Sequence, residues 1–259
     1  ELFILQHDLA YAVKKNQLDL FYQPVVLIDE DKVCSAEALI RWAHPTKGLL
    51  SPQDFIPLAI KAGLLSHITW WVLDNVCQHI SNWKKENRWN LEYVSINVNA
   101  EQFVENDFAR EFLKKLKEYG LKTNDIMIEI TERSLIDNFD NTEDIINELR
   151  RQGVKCAIDD FGIGYSSLAR LSNMPIDKLK IDQSFVSSIP DEEENMKITN
   201  IIIQLSKSLG MDVIAEGVES EDQRDYLLKQ GCVNAQGYLY SRPLSPDEFE
   251  AWFKGHQAK

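Results

Sequence analysis

Cysteine and basic residues are scarce in this chain, and each scarcity argues against a class of protein. The four cysteines, Cys34, Cys77, Cys156 and Cys232, form no CxxC pair, so neither a disulfide framework nor a structural zinc site is expected, and a reducing compartment fits. Lysine and arginine total 28 against 41 aspartates and glutamates, which gives a net charge of −13. No segment carries the clustered basic face that duplex binding would demand, so we expect no nucleic-acid polymer as a partner.

Long apolar runs are also absent from the sequence. No run approaches the roughly 18 residues that a membrane span needs, and no signal-peptide pattern is present. We therefore expect a cytoplasmic domain that makes no membrane contact of its own. The chain begins at Glu1 rather than at methionine, which predicts a segment of a longer protein, and membrane tethering of that parent protein stays open.

Apolar segments rich in β-branched residues recur along the chain and predict eight strands. They span residues 18–28, 33–42, 93–99, 126–132, 154–160, 178–182, 212–217 and 234–240. Helical patterns fill the intervals, and one of them places Ile198, Ile201, Ile202, Leu205 and Leu209 on one face. Alternating strands and helices over 259 residues, 44% of them hydrophobic, favour an α/β TIM barrel, although a doubly wound open sheet would share much of this pattern.

The first two predicted strands depart from a regular barrel. Only a few residues around Asp29 to Lys32 separate them, too few for the crossover that parallel neighbours require. They should form an antiparallel hairpin, so we predict a TIM-like (β/α)₈ barrel with one antiparallel strand. We expect a single domain over residues 1–259, with a leading helix in 1–17 and the barrel in 18–255.

Polar residues recur at or near the C-terminal ends of the predicted strands, and core packing does not explain them. In a barrel these ends meet at one face, where chemistry collects. A single carboxylate at a strand end is usually a helix N-cap or a solvated loop residue, whereas so many in matching positions indicate a shared site. The set comprises Asn97, Glu129, Asp159, Asp160, Lys180, Glu216 and Gln236, with Glu37 on the expected antiparallel partner strand.

These unpaired acids predict a hard cation with oxygen ligands, Mg²⁺ or Mn²⁺ rather than zinc, because no histidine or cysteine joins the set. Neighbouring strand residues face opposite sides, so Asp159 and Asp160 can share a site only if the strand ends there and the glycine loop turns Asp160 inward. Two cations about 3.5–4 Å apart, bridged by one of these carboxylates, would compensate both charges and activate a water for attack on phosphorus.

Nine ordered motifs resemble those of the EAL-domain family, cyclic di-GMP phosphodiesterases that linearise this bacterial second messenger to 5′-pGpG. The resemblance runs from about Leu9 to Trp252 and implies a TIM-like barrel with one antiparallel strand. It also implies cyclic di-GMP as the substrate. The motifs are YQPVV (22–26), AEALIRWAHP (36–45), FIPLA (55–59), SINVN (95–99), IEITE (128–132), IDDFGIGYSSL (158–168), LKIDQSFV (179–186), IAEGVES (214–220) and QGYLYSRPL (236–244).

By matching positions, the resemblance also implies a role for each site residue. The metal ligands would be Glu37, Asn97, Glu129, Asp159 and Asp160, with Asp159 bridging two Mg²⁺ or Mn²⁺ ions. The catalytic set would be Lys180, Glu216, Gln236 and Asp160, with Lys180 orienting or deprotonating the attacking water or stabilising phosphate charge. Substrate contacts would come from Gln23, Leu39, Arg41 and Pro243, and loop support from Glu132 and Glu219.

Further expectations follow from the same resemblance. Members of the family dimerise through the region after the DFG loop, here residues 169–178, so a homodimer is expected. Ca²⁺ should inhibit, because a larger ion with looser geometry would misplace the attacking water. Ile60, Asn99 and Ile163 depart from the common family pattern, and Ile163 should change activity or metal affinity modestly by stiffening its loop.

Two alternatives stay open at this point. Many relatives in the family have lost catalysis and act as cyclic di-GMP receptors; such loss usually shows as a replaced ligand or lysine, and here all of them are present. A glycerophosphodiesterase-like barrel would also need acids at strand ends. Its chemistry normally recruits histidines, and none of the five histidines here lies at a predicted core strand end.

Overall fold

A computed structural model describes residues 2–12, 14–86, 89–104, 107–137, 139–164, 171–172 and 174–257. The strands are β1 (Leu18–Leu27), β2 (Lys32–His44), β3 (Gly48–Leu50), β4 (Val94–Asn97), β5 (Ile126–Thr131), β6 (Lys155–Phe161), β7 (Lys178–Ile181), β8 (Asp212–Ala215) and β9 (Asn234–Ala235).

Helices occupy most of the intervals between these strands. They are α1 (Leu2–Ala12), α2 (Pro52–Lys61), α3 (Leu65–Lys85), α4 (Phe108–Glu118), α5 (Glu132–Asp137), α6 (Phe139–Arg151), α7 (Gln183–Val186), α8 (Glu193–Leu209), α9 (Glu221–Gln230) and α10 (Pro246–Gln257). Two short 3₁₀ helices, Ala100–Val104 and Thr123–Asp125, precede α4 and β5.

The sheet closes into a barrel. Its order is β1-β9-β8-β7-β6-β5-β4-β2-β3, and β1 also pairs with β2, so eight strands form a ring and β3 extends β2 outside it. β1 runs antiparallel to both of its neighbours, whereas β2 and β4 to β9 are mutually parallel along the ring. The predicted TIM-like barrel with one antiparallel strand and an initial hairpin is therefore confirmed.

The direction of β2 corrects one detail of the prediction. Glu37 was expected on the strand that runs against the rest, but β2 pairs in parallel with β4, and the reversed strand is β1. A short connection fixes only that two strands are antiparallel to each other. It does not say which of them follows the direction of the remaining strands.

Two other elements differ from the sequence prediction. β9 ends at Ala235 instead of continuing to 240, because Val218 N donates to Gln236 O and the chain folds onto the loop after β8. α8 ends as expected, before Gly210 with φ 70°. Its buried face contains Ile202 and Ile203, and Ile201, which was expected on that face, is 65% exposed.

The leading helix packs onto the barrel wall. Leu9 and Ala12 of α1 are buried, and Asp8 Oδ2 lies 3.4 Å from Nε2 of His44 at the end of β2. Ala43 N donates to Gln17 O at 2.8 Å and so ties the segment before β1 to the same strand. The exact domain boundaries stay a prediction. In the part of the chain described, no helix combines the length and apolar character needed to cross a bilayer.

Candidate active site

The strand-end residues converge on one face of the barrel. Glu37 lies in β2, Asn97 ends β4, Glu129 lies in β5 and Asp159 lies in β6. The parallel register sets Asn97 opposite Glu129, and Glu129 opposite Ala157, so that Asp159 lies two residues further along the strand direction. Since successive side chains of a strand alternate between faces, Asp159 points to the same side as Ala157.

Lys180 is the centre of this cluster. Its side chain is only 1% exposed, and its Nζ atom lies within ion-pair distance of four carboxylates. The separations are 3.1 Å to Glu37 Oε2, 2.7 Å to Glu129 Oε2, 3.0 Å to Asp159 Oδ1 and 2.8 Å to Glu216 Oε1. One positive charge therefore faces four acidic groups in a region that water barely reaches.

Amide side chains orient Glu37 within this cluster. Asn97 Nδ2 donates to Glu37 Oε1 at 2.7 Å, and Gln236 Nε2 donates to Glu37 Oε2 at 2.8 Å. Gln236 Nε2 also donates to Gln23 Oε1 at 3.0 Å, and Gln23 Nε2 donates to Ser241 O at 3.2 Å. The antiparallel strand β1 thus contributes Gln23 to the same network, directly opposite Glu37 in the β1–β2 register.

The backbone at Asp160 explains how two adjacent aspartates reach one site. Asp160 has φ 53°, and the β6–β7 register is irregular between Ile158 and Phe161. A left-handed conformation is uncommon for residues other than glycine, with aspartate and asparagine among the more tolerant. The turn therefore begins at Asp160 itself, inside β6, and not in the glycine loop as the sequence suggested. The acidic oxygens of Asp159, Asp160 and Glu216 all lie within 4.8 Å of one another.

Burial and mutual repulsion shift the protonation of these groups. Burial raises the pKa of Glu129 to about 8. The attraction of Lys180 opposes this rise, and the negative charges of Glu37 and Asp159 add to it. Burial and the adjacent Asp159 raise the pKa of Asp160 to about 6. Although burial opposes its charge, the pKa of Lys180 is raised well above its usual value by the surrounding carboxylates. The metal-free site therefore holds an ammonium and retains protons among its acids.

The donor set fits hard divalent cations. Glu37, Glu129 and Asp159 form one group whose ligand oxygens lie within 4.8 Å of one another, and Asp159 also belongs to the group with Asp160 and Glu216. Asp159 is thus common to two potential cation sites. Its Oδ1 atom is buried and lies 3.0 Å from Lys180 Nζ, which is the charged partner it has in the metal-free chain. A buried carboxylate that belongs to both acidic groups is a suitable bridging ligand.

Glu132 supports the loop that follows β6. Its Oε2 atom accepts hydrogen bonds from Gly162 N at 2.9 Å and from Gly164 N at 3.1 Å. A Cβ atom at Gly164 would lie 2.9 Å from the Glu132 carboxyl carbon, so glycine permits this close approach. This contact agrees with the loop-supporting role expected of Glu132. Ile163 between the two glycines is 60% exposed, and its effect on activity stays a prediction.

Of the four predicted substrate-contact residues, Gln23 belongs to the hydrogen-bond network around Glu37, and a substrate contact stays a prediction for all four. Arg41 is half-buried, and its Nη1 atom donates to its own neighbour, Ile40 O, at 2.8 Å. Burial lowers the pKa of Arg41, although the negative charge of Glu37 acts to raise it. Leu39 and Pro243 are partly exposed. Glu219 is exposed and its backbone N donates to Gln223 Oε1, so its side-chain role stays a prediction.

Sequence reasoning missed Asp182, which is buried at the end of β7. Its Oδ1 atom accepts from Ser184 N at 2.8 Å as the N-cap of α7, and its carboxyl group contributes to the raised pKa of Asp160. Asp182 follows Lys180 by two residues, so alternation along the extended chain could have placed both on one face. Its local sequence fits a helix N-cap equally well, and that role is also present.

Comparison with known proteins identifies the family. The sequence profile of the EAL domain matches residues 6–243. The chain belongs to the EAL domain family. Residues 6–243 of this EAL domain include all the described strands and every predicted site residue, so the family match covers the acidic cluster.

Two curated relatives come from Pseudomonas aeruginosa. The EAL domain is 36% identical over 249 residues to the bifunctional diguanylate cyclase/cyclic di-GMP phosphodiesterase MucR, covering 95% of this chain and 36% of MucR. It is 37% identical over 253 residues to the cyclic di-GMP phosphodiesterase NbdA, covering 98% of this chain and 32% of NbdA. The chain thus spans about a third of the length of these relatives.

A solved structure supports the same assignment. The PaMucR phosphodiesterase in complex with c-di-GMP superposes with a TM-score of 0.90 at 36% sequence identity, covering 95% of this EAL domain and 99% of that chain. The barrel architecture is therefore shared over nearly the whole of both chains.

Proposed function

We propose that this EAL domain hydrolyses cyclic di-GMP to linear 5′-pGpG with two divalent cations, Mg²⁺ or Mn²⁺. The observation that carries the proposal is the convergence of Glu37, Glu129, Asp159 and Glu216 on the buried Lys180 at the mouth of the barrel. The names of MucR and NbdA, and the c-di-GMP in the PaMucR complex, support the choice of substrate.

The ligand assignment follows the two acidic groups. We assign Glu37, Asn97, Glu129 and Asp159 to the first cation, and Asp159, Asp160 and Glu216 to the surroundings of the second. Asn97 would ligate through its Oδ1 atom, because its Nδ2 atom already donates to Glu37. When bound, the cations would offset the charge of the phosphodiester and lower the pKa of a water molecule near phosphorus.

The chain's own residues would then position the reactants. Lys180, held as an ammonium by its acidic neighbours, would donate hydrogen bonds to the attacking water and a phosphate oxygen. Gln236 would hold Glu37 in its ligating orientation through the 2.8 Å hydrogen bond. We assign Gln23, Leu39, Arg41 and Pro243 to substrate contact, with the Arg41 guanidinium suited to a phosphate oxygen.

The proposed reaction balances as a simple hydrolysis. The water oxygen bonds to phosphorus, the bond from phosphorus to the ribose 3′-oxygen breaks, and that oxygen leaves as a hydroxyl after taking up a proton. The proton that the attacking water loses balances the proton that the 3′-oxygen takes up. One phosphodiester of the ring opens, and the product carries a 5′-phosphate and a free 3′-hydroxyl.

One assay tests the proposal directly. The purified chain would be incubated with cyclic di-GMP and either Mg²⁺ or Mn²⁺, and 5′-pGpG would be measured by chromatography. The controls are EDTA and the variant Glu193→Ala, which removes a solvent-exposed acid whose ion-pair partner is Lys197. We expect product only with metal and at an unchanged rate in Glu193→Ala. Tight nucleotide binding with no product under either ion would instead identify a cyclic di-GMP receptor.

We further propose a homodimer and a cytoplasmic location. Two isoleucines, Ile163 and Ile201, are 60% and 65% exposed, and a second copy would bury such apolar side chains. The predicted dimer segment 169–178 falls partly outside the described residues, at 169, 170 and 173. Four buried, unpaired cysteines suit a reducing compartment. Sedimentation of the purified chain tests the dimer.

A further inference from the structure

Three segments at the mouth follow the proposed cation ligands Asn97, Glu129 and Asp160. The loop after β4 follows Asn97, α5 begins with Glu132 directly after β5, and the loop after β6 follows Asp160. The second and third are linked by the hydrogen bonds from Gly162 and Gly164 to Glu132. A separate set of contacts links the first to the second.

Asn99 and Ser134 make that link. Ser134 Oγ donates to Asn99 Oδ1 at 2.9 Å and accepts from Ala100 N at 2.8 Å. Asn99 Oδ1 also accepts from Glu101 N at 2.9 Å, as an N-cap of the short 3₁₀ helix would. The Ser134 hydroxyl thus bonds the loop after β4 both as a donor and as an acceptor.

The loop after β4 is itself anchored in the protein interior. Gln102, which is 3% exposed, accepts through Oε1 from Asn99 N at 3.2 Å and from Thr69 Oγ1 at 2.9 Å. Thr69 lies on the buried face of α3. Asn99 therefore has a fixed position relative to the barrel wall, and Ser134 is held against it.

Ser134 lies two residues after Glu132 in the first turn of α5, a helix of only six residues. A short helix has little intrinsic stability, so its orientation depends on contacts at its ends. The Asn99–Ser134 hydrogen bond fixes this turn from one side, and Glu132 carries the resulting position to the amides of Gly162 and Gly164. These two glycines follow Asp160, whose backbone is already in a left-handed conformation.

We propose that the Asn99–Ser134 hydrogen bond is a positioning contact that couples the loop after Asn97 to the loop after Asp160, acting through Glu132. The inference rests on the proposed function, because it is there that Asn97 and Asp160 are assigned to different cations. It assigns neither Asn99 nor Ser134 to contact with metal or substrate. Their effect would be to fix the position of Asn97 relative to Asp160.

The decisive measurement needs neither metal nor nucleotide. Amide hydrogen exchange of peptides covering residues 158–164 would be followed in the metal-free chain for the wild type, Ser134→Ala, Asn99→Ala and Ser134→Thr. We expect exchange at Gly162 and Gly164 to rise by about tenfold in both alanine variants, the scale of one net hydrogen bond. Ser134→Thr keeps the hydroxyl and should exchange like the wild type.

A matched control separates positioning from general loss of stability. Ser206→Ala removes another buried hydroxyl, which donates to Ile202 O within α8. It should leave exchange at Gly162 unchanged. In a Glu132→Ala background, where these amides have lost their acceptor, Ser134→Ala should add no further increase. Titration of Mn²⁺ followed by its electron paramagnetic resonance signal should show weaker binding in Ser134→Ala, by about fivefold.

The outcomes are distinct from those of the activity assay. Exchange at Gly162 within twofold of the wild type in Ser134→Ala and Asn99→Ala would overturn the inference, as would an equal rise in Ser206→Ala. If the wild type forms no 5′-pGpG, the proposed function fails, whereas the exchange measurement still decides whether Ser134 positions this loop.

Discussion

Lys180 Nζ lies 2.7 Å from Glu129 Oε2, and both side chains are 1% exposed. Such a buried ion pair requires compensation for the desolvation of both charges. Here one ammonium faces three further carboxylates, from Glu37, Asp159 and Glu216, so the negative charge is in excess. An excess of buried acid destabilises the metal-free chain and favours the binding of cations.

Replacement of Lys180 by methionine should destabilise the metal-free chain by about 3–5 kcal/mol, because it leaves buried acids without their cation. The loss should grow with pH. Glu129 has a folded pKa of about 8, above the value of 4.5 expected when unfolded, so the folded state binds more protons and its stability falls as the pH rises from 4.5 to 8. Lys180→Met removes the attraction between Lys180 and Glu129, so the fall in stability with rising pH should be larger in the variant than in the wild type.

Urea unfolding of the wild type and Lys180→Met in EDTA, at pH 5 and pH 8, measures both effects. A variant as stable as the wild type at pH 8 would show that Lys180 does not compensate the acidic cluster.

Replacement of Glu37 by alanine should abolish turnover and weaken Mn²⁺ binding by at least about tenfold. The change removes a proposed ligand and also leaves Asn97 Nδ2 and Gln236 Nε2 without their shared acceptor. Turnover and calorimetric Mn²⁺ titration would be compared with Glu193→Ala, which removes an acid from the solvent-exposed pair with Lys197. Full activity in Glu37→Ala would overturn the ligand assignment.

The convergence of the strand-end residues was predictable because it depends only on the shared direction of the strands that carry them. Once parallel strands are recognised, their C-terminal ends must meet at one rim, so Asn97, Glu129 and Asp159 follow from their positions in the sequence. The pattern also favours hard divalent cations over zinc, since oxygen donors dominate the set, and the identity of the ions stays a prediction. None of this requires distances between side chains.

Other features depend on tertiary geometry that the local sequence does not specify. The left-handed backbone of Asp160 arises within a strand whose composition favours extended conformation. The contact of Ser134 with Asn99 joins residues 35 positions apart and depends on how α5 packs. The direction of the strand that carries Glu37 could be predicted only by knowing which strand of the hairpin pairs with β4. Periodicity describes faces, whereas these features depend on the packing of whole elements.

Replacement of Asp160 by asparagine should preserve the fold while weakening the second cation site. Asparagine tolerates the φ of 53° that Asp160 adopts, so the midpoint of thermal unfolding should change little. The side chain loses its charge next to Asp159 and Glu216, which should reduce turnover by about a hundredfold and leave one strongly bound Mn²⁺.

Valine at the same position is the contrasting variant. A β-branched residue with positive φ is strained, so Asp160→Val should lower stability as well as turnover. Equal thermal stability of the two variants would show that the left-handed backbone at position 160 is not a constraint.

Ca²⁺ should bind the acidic cluster but support turnover at least about tenfold less well than Mg²⁺. Ca²⁺ accepts about six to eight oxygen ligands at about 2.3–2.6 Å, whereas Mg²⁺ requires near-octahedral geometry at about 2.0–2.1 Å. The cluster supplies oxygens from Glu37, Glu129 and Asp159 within 4.8 Å of one another, a spacing that either ion could use. The difference would therefore arise in the placement of the attacking water, which the looser Ca²⁺ geometry does not fix. Product formation would be measured at constant Mg²⁺ with rising CaCl₂, and KCl at matched ionic strength is the control. Turnover with Ca²⁺ alone that equals turnover with Mg²⁺ would count against two-metal hydrolysis. That chemistry depends on how tightly the cations orient water and phosphate.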